Sequence, residues 1–178
     1  MINEPLWQPT ENQIKRANIT AFRAYVNDKY SMQLRTYDEL YAWSIAELES
    51  FWGSMAEFSG VIFSSQPNEV IVESGDIEEC NWFPDVKLNF AENLLRYRDD
   101  RIAILGSDEA GRRTEISYKE LHQKVAKLAK AFRNHGIVSG ETIAGYLPNI
   151  PETVIAMLAA SSIGAIWSST SPDFGVQG

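Results

Sequence analysis

The 178 residues carry 24 acidic against 16 basic side chains, a net charge of −8, with 44% hydrophobic residues and a single cysteine. This balance excludes a nucleic-acid footprint, which needs Lys and Arg clustered on one face. No apolar run reaches the roughly 18–20 residues that cross a bilayer, the opening MINEPLWQPTENQ lacks the basic-then-apolar order of a secretory signal, and one thiol forms neither an internal disulfide nor a structural zinc site. A soluble protein of the reducing cytoplasm is expected, with room for one ordinary core and a second small unit.

Residues 1–98 are rich in aromatics and poor in clean strand alternation, and hold four of the five tryptophans, Trp7, Trp43, Trp52 and Trp82. From Thr10 to Tyr30, Ile14, Ala17, Phe22, Tyr25 and Val26 recur at mostly helical spacing, with Thr10 placed to cap ahead of Glu11. In WSIAELESFWGSMAEF, Ser44 with Glu47 reads as a capping box, and Ile45, Leu48, Phe51, Trp52, Met55 and Phe58 share one apolar face. Such a stripe is a packing surface before it is a cofactor box. EVIV, residues 69–72, suggests a short strand. WFPDVKLNFAENLLRYRDD then predicts a turn at Pro84 and a short helix over 89–98, a lead-in that docks one region on the next.

Beyond Arg101 strands and helices alternate. Strands are expected over 102–106 and 113–117, joined through Ala110 and Gly111 as a hairpin. Ser117 and Glu120 form a capping box for a helix whose apolar positions Leu121, Val125, Leu128, Ala129 and Phe132 fall on one face, stopping before Gly136. A strand over 141–146 is followed by Pro151 in the first turn of a helix that runs to Gly164, and AIWSS, residues 165–169, forms the next strand. This is a βαβ unit, expected to have two buried parallel strands and a right-handed crossover.

In open α/β sheets ligands sit beyond the carboxyl ends of the strands. Two such ends occur here, YLPNIPET and SSTSPDFG. In the second, Ser168, Ser169, Thr170 and Ser171 offer hydroxyls, Pro172 fixes a turn and Asp173 can cap the residues after it; the bland reading is a polar turn. Neither GxGxxG nor GxxxxGK[ST] occurs. His122 falls on the polar side of its helix and His135 in the last turn, where a cation meets the helix dipole favourably, so neither reads as catalytic. Cys80, flanked by Glu78 and Glu79, lacks the positive surroundings that activate a thiol. The basic cluster RYRDDR carries its own Asp99 and Asp100 and reads as a solvated connector, and the carboxylates show no metal-liganding spacing.

The order WSIAELESFW, WFPDVKLNFAENLL and ISYKELHQKVAKLAKAFRNHGIVSGETIAGYLPNIPETVIAMLAASSIGAIWSSTSPDFG resembles the N-terminal part of an acyl-CoA synthetase of the adenylate-forming superfamily, over almost the whole chain. The βαβ stretch is shared across that superfamily. WFPDVKLNFAENLL and IWSSTSPDFGV are more particular, and incline the likeness towards members that activate acetoacetate. The resemblance implies an α/β fold with an aromatic-rich helical N-terminal extension, residues 1–98, followed by the start of the large AMP-binding domain, residues 99–178. It implies a parent ligase that uses ATP, Mg and coenzyme A to turn acetoacetate into its thioester. The family's phosphate loop, acyl pocket and catalytic lysine come later in such chains, so no catalytic or metal-binding residue is expected here. Turnover by this piece alone is then expected to be absent. By place, the resemblance puts Ser168, Ser169, Thr170 and Ser171 near the nucleotide part of coenzyme A. Two alternatives stay open: a synthetase for acetate, propionate or another short acid, and a small α/β binding module without catalysis. A piece of a larger sheet exposes an edge and an apolar face, so self-association is expected.

Overall fold

A computed structural model describes residues 6–72, 74–75 and 77–175. The chain divides into two compact units: one takes the residues up to Val61 with Ser65–Val86, the other Ile62–Ser64 with the residues from Lys87 onward.

The first unit is built from four short helices, α1 (Glu11–Arg16), α2 (Asn18–Tyr30), α3 (Tyr37–Ala46) and α4 (Leu48–Phe58), and an antiparallel pair, β1 (Ile71–Val72) with β2 (Asn81–Trp82). Thr10 caps α1 as its sequence predicts, in a reciprocal box with Gln13. The expected single helix to Tyr30 is broken at Ala17, whose extended backbone ends α1 and opens α2. The Thr20 hydroxyl donates to the Ile14 carbonyl at 2.7 Å across that break, adding to the bond this carbonyl accepts from Ala17 N at 3.2 Å.

The box expected at Ser44 and Glu47 does not form. Ser44 lies inside α3, where its hydroxyl donates back to the Tyr41 carbonyl at 2.8 Å. The box belongs instead to Thr36 and Glu39, eight residues upstream, which start α3. Glu47 is the junction of α3 and α4: its N–H donates to the Trp43 carbonyl at 2.9 Å and its carbonyl accepts from Phe51 N at 2.8 Å. Ile45, expected on the inner face, is therefore 58% exposed. Phe22, Val26, Leu40 and Trp43 form the buried core, with Tyr25, Phe51 and Met55 packed against it. Ser54 is fully buried on α4 and pairs with the Tyr30 hydroxyl at 3.0 Å, which removes the cost of an unpartnered polar group.

The second unit begins with α5 (Phe90–Leu94), shorter than the helix expected over 89–98 and capped by Asn89, which accepts from Glu92 N. An antiparallel hairpin follows, β3 (Ile102–Ser107) with β4 (Arg113–Ser117). Its turn has Gly111 at φ +74°, a conformation that favours glycine. Next come α6 (Tyr118–Asn134), β5 (Thr142–Tyr146), α7 (Pro151–Ser162) and β6 (Ile166–Thr170). The Ser117–Glu120 box is present, and Leu121, Val125 and Ala129 of α6 are buried. They join Ile116, Ala91, Leu95 and the α7 residues Ile155, Leu158 and Ala159 in one aliphatic core.

β5 and β6 pair in parallel from Thr142↔Ile166 to Tyr146↔Thr170. The expected burial of both strands is not found. Thr142, Ala144 and Tyr146 on β5, and Ile166, Ser168, Ser169 and Thr170 on β6, are exposed; only Ile143, Gly145 and Trp167 are half-buried. Through Ser168 the reason is alternation: successive side chains take opposite faces, and in this two-stranded sheet one of those faces is uncovered; Ser169, on the Trp167 face, is exposed as well.

Candidate functional site

Because β5 and β6 run parallel, their carboxyl ends share one edge of the sheet, and the pairing continues one step beyond it, with Leu147 N donating to the Thr170 carbonyl at 3.2 Å. The β5 loop turns at once into α7. Thr153 donates its hydroxyl to the Pro148 carbonyl at 2.7 Å, and Pro151 stands in the first helical turn, where its missing N–H costs nothing. The β6 loop ends in a 3-10 turn, Pro172–Phe174, capped by Ser171.

The four hydroxyl residues singled out in the sequence are contiguous, but the structure gives them three different situations. Ser171 is engaged: its hydroxyl donates to the Asp173 carboxylate at 2.8 Å and accepts from Asp173 N at 3.2 Å. Ser169 shares a face with Trp167 and with its register partner Gly145. Ser168 and Thr170 occupy the other face, opposite Ala144 and Tyr146, and are exposed. Ser168, Ser169 and Thr170 make no side-chain hydrogen bond to the described residues.

In the sequence Tyr146 stands out only as the end of a strand. Tyr146 is 61% exposed and stands directly across from Thr170. The period-2 alternation of TIAGY was the signal that could have placed it on the Ser168–Thr170 face. On the opposite face Trp167 lies against Gly145, so close that a Cβ there would meet the ring at 2.5 Å. Glycine at 145 is what lets the indole approach β5 this closely.

The charge around this edge is one-sided. From Glu141 to Gly175 there is no lysine or arginine, while Glu141, Glu152 and Asp173 are present. The edge can therefore offer hydroxyls, backbone groups and an aromatic ring, but these residues hold no cation with which to grip a phosphate.

The remaining candidates lie elsewhere. His122, expected on the polar side of its helix, is half-buried in a cleft of about 570 Å³ that also takes in Glu92, Arg96, Arg98 and Ser162. Burial, and then the nearby Arg98 charge, push its pKa below the usual histidine value. His135 ends α6, with its ring Nδ1 2.9 Å from the Ala131 carbonyl. In the RYRDDR connector the Arg101 guanidinium makes two hydrogen bonds to the Asp99 carboxylate, at 2.9 and 2.8 Å, and lies over the rings of Tyr97 and Tyr118. Cys80 is half-buried. Among the described residues there is no group of three or more His, Cys, Asp or Glu that could hold a metal, and no helix long and apolar enough to cross a membrane.

Comparison with known proteins places these elements in a larger frame. A family model for the acetyl-coenzyme A synthetase N-terminus matches residues 37–94, and one for the AMP-binding enzymes matches residues 90–177. Acetoacetyl-CoA synthetase of Macaca fascicularis is 43% identical over 97% of this chain, which covers 26% of that protein. Malonamoyl-CoA synthetase vrtB of Penicillium aethiopicum is 37% identical over 98% of the chain and 25% of its own length. Among solved structures, acetoacetyl-CoA synthetase from Streptomyces lividans superimposes with a TM-score of 0.89 at 37% identity, over 98% of this chain and 27% of that one. The chain thus spans about a quarter of the relatives it matches. With helices that match an acetyl-coenzyme A synthetase N-terminus, an α/β unit that matches the AMP-binding enzymes, and likeness to acetoacetyl-CoA synthetases along its length, this chain belongs to the adenylate-forming acyl-CoA synthetase family.

Proposed function

We propose that this chain is the N-terminal part of a ligase that joins acetoacetate to coenzyme A, with residues 1–98 as the N-terminal extension and residues 99–178 as the start of the AMP-binding domain. In the overall reaction acetoacetate displaces pyrophosphate from ATP, giving an acyl-adenylate, and the coenzyme A thiol then displaces AMP to form the thioester. Mg and cationic groups that neutralise the phosphates belong to residues outside this sequence. Taken alone, the 178 residues bind the substrates weakly, turn nothing over, and self-associate through the exposed face of β5 and β6. The compartment is the cytoplasm. The reading rests above all on the likeness to acetoacetyl-CoA synthetases over 97% of the chain. The Ser168–Ser171 segment is assigned to the nucleotide part of coenzyme A, in keeping with its place at the carboxyl edge of a parallel pair.

A second reading keeps the chemistry and changes the acid. Support for it is specific: a malonamoyl-CoA synthetase is as similar to this chain, at 37%, as the acetoacetyl-CoA synthetase of Rhizobium meliloti. This region therefore does not by itself select the acid. The test is AMP release by the complete protein carrying this sequence, with ATP, coenzyme A and acetoacetate, acetate, propionate, butyrate or malonamate in parallel. A clear preference for acetoacetate is expected, with silence from the isolated 178 residues. Preference for another acid would replace the substrate, and turnover by the isolated chain would overturn the assignment of the chemistry to later residues. Light scattering over a dilution series should show the isolated chain as dimers or larger species; compact monomer throughout would remove the self-association claim.

A further inference from the structure

The chain passes between its two units three times, after Val61, after Ser64 and after Val86. Ile62–Ser64 is therefore a short stretch of the second unit set between stretches of the first, and it lies in neither helix nor strand. Side chains hold it instead. The Asn93 amide of α5 accepts from Ile62 N at 2.9 Å, donates to the Ile62 carbonyl at 3.0 Å, and donates again to the Asn89 carbonyl at 3.1 Å. Two residues on, Ser64 N donates to the Lys87 carbonyl at 2.7 Å and the Ser64 hydroxyl accepts from Lys87 N at 3.0 Å. α5 is itself fixed: Ala91 and the cap residue Leu95 are buried, and the Asn89 side chain donates to the Ser161 carbonyl in the last turn of α7 at 2.9 Å.

From the Ser64–Lys87 neck two arms run into the first unit, residues 65–72 and 81–86. Their own pairing is slight. β1 and β2 have two residues each, too few to be stable as an isolated hairpin. The Val70 carbonyl accepts from Phe83 N at 2.8 Å, and the Asp85 carboxylate accepts from Asn68 N and Nδ2 at 2.8 and 2.6 Å, but the two Asp85 bonds are exposed, so that water replaces a lost partner at little cost. Asn93 is half-buried, and a donor or acceptor stranded beside it bears its desolvation cost. We propose that the two arms form a strap and that Asn93 is its catch: the bonds from Asn93 to Ile62 hold the Ser64–Lys87 neck shut, and the arms open when those bonds are lost. The residue suits the task, because a side-chain amide offers an acceptor and two donors to neighbouring backbone groups, whereas a carboxylate of the same shape offers no donor. Opening of a stretch of the first unit is thereby governed from α5 of the second.

The experiment is hydrogen exchange, read by mass spectrometry, on the complete protein carrying this sequence, as wild type and as Asn93→Asp, Ser64→Ala and Asp85→Ala. Asn93→Asp keeps the shape of the side chain and removes both donors. It should speed exchange in 62–72 and 81–87 by about tenfold, the size that goes with stranding one part-buried backbone acceptor, while α2 to α4, α6 and α7 keep wild-type rates. Ser64→Ala leaves Lys87 N without its acceptor and should open the same two stretches by a smaller factor. Asp85→Ala should act on 68–72 and 81–85 and leave 62–64 as protected as in wild type. If Asn93→Asp changes nothing, or changes exchange only within α5, the side chain serves that helix and the proposal fails. If Asp85→Ala opens 62–64 as far as Asn93→Asp does, the hold lies in the arms and Asn93 is not the catch. A uniform loss through α6 and α7 in Asn93→Asp would mean a general weakening of the second unit, and the exposed Ser64→Ala then decides: opening of both stretches supports the strap, and unchanged exchange overturns it.

Discussion

The two units are held together by different kinds of side chain. In the first, rings meet rings: Phe22 lies edge-on to Phe51 and Phe58 at 5.8 and 5.3 Å, and Trp43 contacts Phe51 and Tyr30 at 6.1 and 5.6 Å. In the second, aliphatic residues from α5, α6, α7 and the hairpin share one contiguous core. Aromatic clusters fix geometry through a few large contacts in several directions, and they tolerate short helices broken at Ala17 and Glu47. An aliphatic core under a long helix needs one continuous stripe. The α6 stripe is accordingly regular enough to be read from sequence, whereas the helix limits of the first unit are not.

That contrast can be broken most directly at Phe22, which is 2% exposed and touches three rings. Phe22→Ala should cost about 3–5 kcal/mol. Hydrogen exchange should show lost protection across α2 to α4 while α6 and α7 keep theirs; equal loss in both units would mean that they do not fold as separate cores.

Gly145→Val comes next. Its side chain would overlap the Trp167 ring, and displacing the indole should cost about 1–3 kcal/mol by urea titration, with a shift in tryptophan emission. An unchanged spectrum would mean that Trp167 does not rest on β5.

The capping assignments sharpen the comparison at lower cost. Thr36→Ala and Ser117→Ala should each destabilise by about 1 kcal/mol. Ser44→Ala should be close to neutral, because Ser44 donates within α3 and caps nothing. The reverse order would restore the helix start at Ser44.

The smallest effect concerns pH. The Ser117 backbone N–H, and then its hydroxyl, hold the Glu120 carboxyl below its ordinary range. A carboxylate with a lowered folded-state pKa supports the fold above its unfolded value of about 4.3 and loses that support as pH falls through the lower folded value. The N-terminal turn of α6 should therefore loosen on acidification, seen as faster exchange of its first amides, and Glu120→Gln should flatten that response.

Much of the fold was legible because it depends on neighbours in sequence. The Ser117–Glu120 box, the α6 stripe, Pro151 at the start of α7, Gly111 in the hairpin turn and the parallel pairing of β5 with β6 follow from local chemistry and from the length of the βαβ crossover. The first unit was harder because Ser44 and Glu47 have the spacing of a capping box as truly as Thr36 and Glu39 do. A box is decided by which residue takes up extended backbone, and Thr36 does so where the Asn27 side chain, bonded to both backbone groups of Leu34, fixes the connection between α2 and α3.

For the site, the sequence by itself determined that four hydroxyl residues close a buried-looking strand, that no Lys or Arg occurs from Glu141 to Gly175, and that the chain resembles the acyl-CoA synthetases. It could not divide those four by face. That division depends on strand register, which brings Tyr146, more than twenty residues earlier, across from Thr170 and leaves Ser169 with Gly145 and Trp167. Pairing between strands is set by contacts distant in sequence and by a side-chain alternation of two residues, so only the tertiary structure settles which side chains share a surface.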